Sequence, residues 1–187
     1  MTLDYVEYWE EMKIVLSNLP HTDILTMRKL IDNLAENGGK LWTIGNGGSA
    51  STAEHASCDL SKGLSSSNIS KRYQAISLTS NSSLLTAWSN DTSYDEALGN
   101  MILNFANEGD MLLAISGSGN SSNLLHAIES AKRMKLVTIG LTGFNGGLMR
   151  GKLDLEIHIN SSDMQIVENV HLAVIHSLVK NCNIKSE

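Results

Sequence analysis

Short apolar segments alternate along this sequence with longer segments of helical periodicity. MLLAIS (111–116) is the most strand-like, and the others are KLWTIG (40–45), QAISLT (74–79), LVTIGL (136–141) and LEIHI (155–159). A strand that is apolar on both faces is typical of a parallel sheet, in which both faces are buried. Helices between such strands cover the two faces of the sheet. The sequence therefore predicts an α/β protein with a doubly wound parallel sheet.

Two helices are predicted ahead of the first strand. Residues 4–18 place apolar side chains at helical spacing, and Pro20 ends this helix. The second helix is predicted to run from Thr22, as its N-cap, to a stop at Gly38 and Gly39. The chain should thus enter the sheet only after a helical hairpin.

The remaining helices are expected after the strands. They are predicted at 49–61, 82–89, 94–107, 121–134 and 163–181, with Ser161, Ser162 or Asp163 as the cap of the last one. Residues 63–72 are expected to form a loop, and no shift in composition marks a linker. We therefore expect one domain over residues 1–187, with a helical extension at 1–38 and the α/β core at 39–187.

The net charge limits the class of partner, and the cysteines indicate the cellular setting. A net charge of −6 argues against binding to nucleic acid or to an anionic membrane surface, which usually needs a basic patch. No segment approaches the about 18 apolar residues of a membrane span. Cys58 and Cys182 form no C-x-x-C motif, which favours a reduced, cytoplasmic setting, and Cys58 is expected to pack in the core.

Two loops rich in glycine and serine follow predicted strands and open helices. They are IGNGGSA (44–50) and AISGSGNSSN (114–123). In a doubly wound sheet, ligands bind beyond the carboxyl ends of the strands, where helix N-termini offer unpaired N–H groups. Glycine, serine and asparagine are also ordinary turn residues, but two such loops at matching positions favour ligand binding.

The ligand predicted for these loops is a small phosphorylated molecule. Ser116, Ser118 and Ser121 add three hydroxyl groups to the second loop, which suits a phosphate dianion. The lysine of a Walker A motif is missing, and the first loop does not follow the G-x-G-x-x-G pattern. No nucleotide cofactor is therefore expected.

The helix after the first loop carries His55 and Asp59, four residues apart. Residues at this spacing share one face of a helix. The pair is either part of an ordinary solvated helix or one wall of an active site.

Five motifs together resemble the phosphoheptose isomerases, which are sugar isomerase (SIS) domain enzymes. They are GNGGSA, the acidic residue four positions after His55, SGSGNS, TIGLTG-x-x-GG-x-M, and SSD followed by E-x-x-H-x-x-x-x-H. The resemblance covers nearly the whole chain. It implies a flavodoxin-like three-layer domain and a homotetramer with sites between subunits. It also implies isomerisation of sedoheptulose 7-phosphate to D-glycero-D-manno-heptose 7-phosphate.

The resemblance also implies roles for individual residues. Ser116, Gly117, Ser118 and Ser121 would hold the phosphate, and Asn46, Gly47, Gly48 and Ser49 would line the sugar, with Asp91 nearby. His176 is the implied catalytic histidine. Three positions depart from the family pattern: Asp59 replaces a glutamate, Glu168 a metal-site glutamine, and Gly63, beside Lys62, an arginine.

Ketose–aldose isomerisation through an enediol needs a base and an acid. Asp59 is the predicted base and His176 the predicted acid, with Glu168 as a possible substitute base. His55, Asp59, Glu168 and His176 are acceptable zinc ligands, and the resemblance implies one zinc per subunit at these positions. Glu168 and His176 are about 12 Å apart along an ideal helix, so both reach one ion only by leaning inward.

The other histidines are expected to have structural roles. His171 is predicted to be buried with its hydrogen bonds satisfied, His126 and His158 to lie at the surface or to pack, and His21 to belong to the linker between the first two helices. Two alternative functions stay open. One is an isomerase of a different phosphosugar, and the other is a non-catalytic SIS protein that binds a sugar phosphate.

Overall fold

Five parallel strands form one sheet in the computed structural model, which describes residues 4–63 and 72–180. The strands are β1 (Lys40–Gly45), β2 (Gln74–Ser77), β3 (Met111–Ser116), β4 (Val137–Thr142) and β5 (Leu155–His158). Their order in the sheet is β2-β1-β3-β4-β5, and each neighbouring pair is parallel. The predicted doubly wound α/β fold is confirmed.

Seven α-helices lie in the described residues. They are α1 (Asp4–Ser17), α2 (His21–Glu36), α3 (Gly48–Gly63), α4 (Ser82–Asp91), α5 (Tyr94–Phe105), α6 (Ser122–Arg133) and α7 (Met164–Lys180). A short 3-10 helix at Gly147–Met149 follows β4. Most of the predicted loop at 63–72 lies outside the described residues, as does Cys182.

The start of α2 differs from the prediction. Pro20 occupies the N-cap position, and its carbonyl accepts hydrogen bonds from the backbone N–H groups of Asp23 and Ile24. Proline is favoured at a helix start because it lacks an N–H that would be unpaired there. Thr22 is therefore inside the helix, and His21 is its first residue rather than a linker residue. At α7 one predicted cap is confirmed, since Asp163 Oδ1 accepts from the backbone N–H groups of Gln165 and Ile166.

The sheet is buried on both faces. One face packs against α2, α3 and α7 through side chains that include Ile31, Leu60 and Val170, and the other packs against α5 and α6 through residues such as Leu98 and Ile128. All six residues of β3 are buried. The helices and the central sheet thus form the three layers that the alternation of segments predicts.

The α3 helix turns Cys58 to the surface, which corrects the prediction of a core cysteine. Ala53, Ala56 and Leu60 are buried and occupy the face of α3 that packs on the sheet. Cys58 lies off this face because it is two residues from both Ala56 and Leu60, about half a helical turn.

A buried carboxylate joins the starts of β1 and β3. Asp110 accepts hydrogen bonds from the backbone N–H groups of Lys40 and Asn107 and from Trp42 Nε1, at 2.8–3.0 Å. The residue is only 4% exposed. Three donors to one buried carboxylate hold the amino ends of the two central strands together.

The strand order reverses between β1 and β3. From β1 the chain crosses to β2 on one side, and then returns past β1 to β3 on the other. The loops that leave these two adjacent strands diverge, which opens a crevice at the carboxyl edge of the sheet. Both loops rich in glycine and serine lie at this edge. None of the helices in the described residues is long and apolar enough to cross a bilayer.

Candidate active site

A cleft lies where the loops after β1 and β3 meet the start of α7. Its volume is about 330 Å³, including space open to solvent. It is lined by Asn46, Ser49, Ile115, Ser116, Gly117, Ser118, Ser121, Met164 and Glu168. The structure thus brings together most of the residues that the sequence predicted to bind a sugar phosphate.

The serine side chains of the β3 loop are available to a ligand. Ser116 Oγ accepts a hydrogen bond from the Gly119 N–H, and Ser118 Oγ accepts from the Asn120 N–H. Both hydroxyl protons can therefore be donated into the cleft. Ser121 occupies the N-cap position of α6 but makes no side-chain capping bond, so its hydroxyl is not committed to the helix. Hydroxyl donors beside a helix N-terminus suit a phosphate group.

The α7 helix approaches both loops closely because two loop residues are glycines. A Cβ at Gly48 would overlap the Glu168 carboxylate, and a Cβ at Gly117 would overlap Met164 Sδ. Gly48 is the first residue of α3, so the Glu168 carboxylate lies at the positive end of that helix. Among the described residues that line the cleft, Glu168 is the only charged one.

Further along α3 and α7, three side chains converge. His55 Nε2 lies 3.1 Å from Asp59 Oδ2, and His176 Nε2 lies 3.0 Å from His55 Nε2 and 3.7 Å from Asp59 Oδ2. We call these residues the His–Asp–His group. The prediction that His55 and Asp59 share a helix face is confirmed, and the packing of α7 on α3 adds the third member.

The His–Asp–His group fits a zinc ion. In the contact between the two Nε2 atoms, either one nitrogen donates a proton to the other, or both present lone pairs to a cation. Two imidazoles and one carboxylate are an ordinary zinc donor set, and ligand atoms around a tetrahedral zinc are about 3.4 Å apart. The observed separations of 3.0, 3.1 and 3.7 Å lie close to that value.

Glu168 is not a member of the group of potential ligands in the described residues, which contains only His55, Asp59 and His176. Its carboxylate instead lies against Gly48 in the cleft. The idea of Glu168 as a fourth zinc ligand therefore stays a prediction.

Asp91 lies away from the cleft lining. It ends α4, is exposed, and accepts a hydrogen bond from the Asn90 side chain. Gly47 precedes α3 with φ +54°, and Lys62 is exposed in the last turn of that helix. The roles implied for Asp91 and Gly47 stay predictions.

The remaining histidines divide between the surface and the interior. His171 is buried as predicted, but the prediction of satisfied hydrogen bonds is wrong. Nε2 donates to the Thr142 carbonyl at 3.2 Å, while Nδ1 has no hydrogen-bond partner among the described residues. Burial lowers the pKa of His171 to about 4. Burial also lowers the pKa of His158, and His126 is exposed, with Nδ1 bonded to the Asp95 carbonyl.

Sequence reasoning missed two residues beside the cleft. Asn123, on the first turn of α6, is 2% exposed and exchanges two hydrogen bonds with the Asn46 side chain. Tyr94, the first residue of α5, donates its hydroxyl proton to Asn46 Oδ1. The sequence did contain a signal for Asn123, because this polar residue lies next to Leu124 on a face of α6 that is otherwise mainly apolar.

Comparison with known proteins identifies the family of this chain. Residues 5–143 match the SIS domain family. The chain belongs to that family. The predicted kinship with sugar isomerase domains is therefore confirmed, and the cleft lies where the α/β core of this SIS domain has its strand-order reversal.

Within the family, the chain is similar to phosphoheptose isomerases. It is 35% identical over 182 residues to the phosphoheptose isomerase of Pelodictyon phaeoclathratiforme. The matched region covers 96% of this chain and 85% of that protein. It is 43% identical over 148 residues to the enzyme of Shewanella sp. (strain ANA-3), which covers 77% of this chain and 74% of that protein.

Solved structures agree with these relatives. The phosphoheptose isomerase from Francisella tularensis superposes with a TM-score of 0.85 at 29% identity and covers 99% of this chain and all of that one. The phosphoheptose isomerase from Neisseria gonorrhoeae gives a TM-score of 0.87 at 25% identity, covering 96% of this chain and 97% of that one. The prediction of a phosphosugar isomerase of this family is thus confirmed.

Proposed function

We propose that this protein converts sedoheptulose 7-phosphate into D-glycero-D-manno-heptose 7-phosphate. The observation that carries the proposal is one pair of helices, α3 and α7, that contributes both to a serine-rich cleft and to a cluster of acid–base side chains. The relatives are phosphoheptose isomerases, and sedoheptulose 7-phosphate is the substrate implied by the resemblance to that family. A phosphate in the cleft would be held by neutral donors, namely serine hydroxyls and backbone N–H groups.

The spacing along the two helices suits a substrate that is phosphorylated at one end and reacts at the other. Ser49 and His55 are about 9 Å apart along α3, and Glu168 and His176 about 12 Å apart along α7. Ser49 and Glu168 line the cleft, whereas His55 and His176 belong to the His–Asp–His group. An extended sugar chain anchored by its phosphate would place its far carbons toward this group, which lowers the entropic cost of reaction.

In the proposed reaction, a carboxylate removes a proton from C1 of the ketose and returns it to C2. A second group moves the hydroxyl proton from O1 to O2, so that the enediol collapses to the aldose. Asp59 is the proposed base and His176 the proposed acid, and their side chains are 3.7 Å apart. Glu168 is the alternative base, supported by its position in the cleft lining.

A zinc ion held by His55, Asp59 and His176 would act as a Lewis acid toward the substrate oxygens. A side-chain atom that coordinates the ion cannot carry the transferred proton. The acid and base roles of Asp59 and His176 therefore apply to the protein without zinc, and Glu168 is the base available when zinc is bound. The proposal of one zinc per subunit rests on the donor set and on its atom separations.

The test is to incubate the purified protein with sedoheptulose 7-phosphate and to follow aldoheptose formation. Asp59→Asn should lower turnover by at least about 100-fold, the usual contribution of a general base, while inorganic phosphate still binds. Glu168→Gln is the matched isosteric variant. Zinc content is measured for both, because Asp59 belongs to both proposals.

Each outcome favours one function. An active Asp59→Asn protein with an inactive Glu168→Gln protein would move the base to Glu168. Turnover of other ketose phosphates alone would favour an isomerase of a different phosphosugar. Tight binding without any turnover would favour a sugar-phosphate-binding SIS protein.

We also propose that the protein forms a homotetramer. Apolar side chains on α1 support an interface between subunits, since Tyr5, Trp9 and Ile14 are 56–64% exposed. Light scattering at several concentrations tests this, and a monomer at every concentration would contradict it.

A further inference from the structure

The side chain of Asn46 is held by two residues that belong to separate helices. Asn46 Nδ2 donates to Asn123 Oδ1, and Asn123 Nδ2 donates to Asn46 Oδ1, both at 2.8 Å. The Tyr94 hydroxyl donates to Asn46 Oδ1, also at 2.8 Å. The three side chains join the loop after β1 to the first turns of α5 and α6.

Asn123 is 2% exposed, so its amide needs partners inside the protein. An amide buried without hydrogen bonds costs about 1–3 kcal/mol, and Asn46 supplies both an acceptor and a donor. The reciprocal pair fixes the plane of the Asn46 amide. A half-buried asparagine in a glycine loop would otherwise sample several rotamers.

The bonds also determine which atom of Asn46 is left for a ligand. Oδ1 accepts two hydrogen bonds, which uses the capacity of an amide oxygen, whereas among the described residues Nδ2 donates only one of its two protons. The second N–H is the remaining polar group of a side chain that lines the cleft. It can only donate, so its partner must be an acceptor atom with a free lone pair, and in a sugar phosphate these atoms are oxygens.

We propose that Asn123 and Tyr94 are positioning residues that orient the Asn46 amide so that its second N–H binds an oxygen of the phosphorylated substrate. The inference rests on the proposed function for the identity of that substrate. The Asn46 N–H can donate to a carbonyl or hydroxyl oxygen of the sugar, and it disfavours a substrate N–H at the same place.

The decisive variant is Tyr94→Phe, which removes one hydroxyl from a half-exposed side chain. Without that donor Asn46 Oδ1 loses one partner, and the amide is oriented less strictly. We expect KM for sedoheptulose 7-phosphate to rise about 5- to 10-fold, the effect of about one hydrogen bond, with inhibition by inorganic phosphate changed less than about twofold. Tyr73→Phe, which removes a hydroxyl that donates to Asp32 Oδ1 and lies outside the cleft lining and the His–Asp–His group, is the matched control and should change neither value.

A second variant, Asn123→Asp, keeps the shape of the side chain but removes the donor to Asn46 Oδ1. We expect kcat/KM to fall by about 10- to 100-fold, a larger effect than that of Tyr94→Phe, because two acceptor oxygens then face each other. Thermal unfolding of each variant separates this effect from loss of the fold. Tyr94→Phe decides the question if Asn123→Asp does not fold.

A readout that does not depend on turnover keeps the inference separate from the proposed function. In ¹⁵N–¹H spectra the side-chain amide of Asn46, assigned by its loss in Asn46→Asp, should shift in Tyr94→Phe and not in Tyr73→Phe. Addition of sedoheptulose 7-phosphate to the wild type should move one of its two N–H signals more than the other. Unchanged Asn46 signals in Tyr94→Phe would overturn the inference, and absence of turnover in the wild type with the expected shifts would overturn only the proposed function.

Discussion

The buried imidazole of His171 makes the stability of this protein depend on pH. Burial is the main cause that lowers its pKa to about 4 from the ordinary value of 6.5, and the charge of neighbouring His158 lowers it further. The hydrogen bond to the Thr142 carbonyl acts in the opposite direction, because the donating N–H favours the protonated ring. The balance keeps His171 neutral in the folded protein at neutral pH.

The size and sign of the effect follow from the two pKa values. Below pH 6.5 the unfolded chain binds a proton at His171, whereas the folded protein binds it only near pH 4, so stability falls as pH is lowered through this window. The loss from this residue is about 2 kcal/mol at pH 5 and about 3 kcal/mol below pH 4. Above pH 7 the ring is neutral in both the folded and the unfolded state, so His171 causes no loss of stability there.

Urea unfolding of the wild type and of His171→Met at pH 8 and pH 5 tests this reasoning. The Thr142 carbonyl keeps the Ile159 N–H as a donor at 2.8 Å, so the substitution leaves no acceptor unpaired there. We expect the two proteins to differ by less than about 1.5 kcal/mol at pH 8, as for a volume-conserving change, and the variant to gain about 2 kcal/mol relative to the wild type at pH 5. His171→Gln, which cannot titrate and retains a donor, is the second variant. Equal pH dependence in all three proteins would refute the argument.

Three further predictions concern the core, the cleft and the metal. Asp110→Asn should lower the free energy of unfolding by about 2–4 kcal/mol, because an amide nitrogen then faces one of three buried donors; a loss under about 1 kcal/mol in urea unfolding would contradict this. Gly48→Ala should cost about 1–3 kcal/mol by overpacking, and a double-mutant cycle with Glu168→Ala should remove most of that cost; additive effects would show that the two residues do not compete for space. Zinc should raise the wild-type melting temperature, with a stabilisation of about 2.7 kcal/mol at 100 times Kd. His55→Gln should abolish this rise and the exposed-histidine control His126→Gln should keep it, whereas a wild type that binds no zinc would exclude the metal.

The fold was largely predictable because the signals that specify it are local. Each strand is a short apolar run, and the helices between them show their own periodicity, so the layers follow without knowledge of distant contacts. The errors came where two local preferences compete. At α2 the threonine preference for N-caps pointed to Thr22, but Pro20 already fits the helix start. Cysteine is usually buried, but at Cys58 the sheet-facing side of α3 is already occupied by alanines and a leucine, so Cys58 lies at the surface.

The candidate site was predictable to a smaller degree. The loops at Asn46 and Ser116 could be placed together because both follow strands at one edge of the sheet, and periodicity alone joined His55 to Asp59. The closeness of His176 depends on how α7 packs against α3, which is a long-range contact. The position of Glu168 depends on Gly48, whose missing Cβ leaves room for the carboxylate where α7 packs against α3. The spacing of residues within α7 cannot predict this contact.

The α7 helix connects the two halves of the proposed site as one rigid element. Met164 and Glu168 belong to the cleft, and His176, two to three turns further on, belongs to the His–Asp–His group. A displacement of the helix along its axis moves both sets together, so occupancy of one changes the geometry of the other. We therefore expect thermodynamic coupling: the factor by which a cleft ligand changes the affinity for zinc must equal the factor by which zinc changes the affinity for that ligand. The affinity for phosphorylated sugars would then vary with the metal supply of the cell.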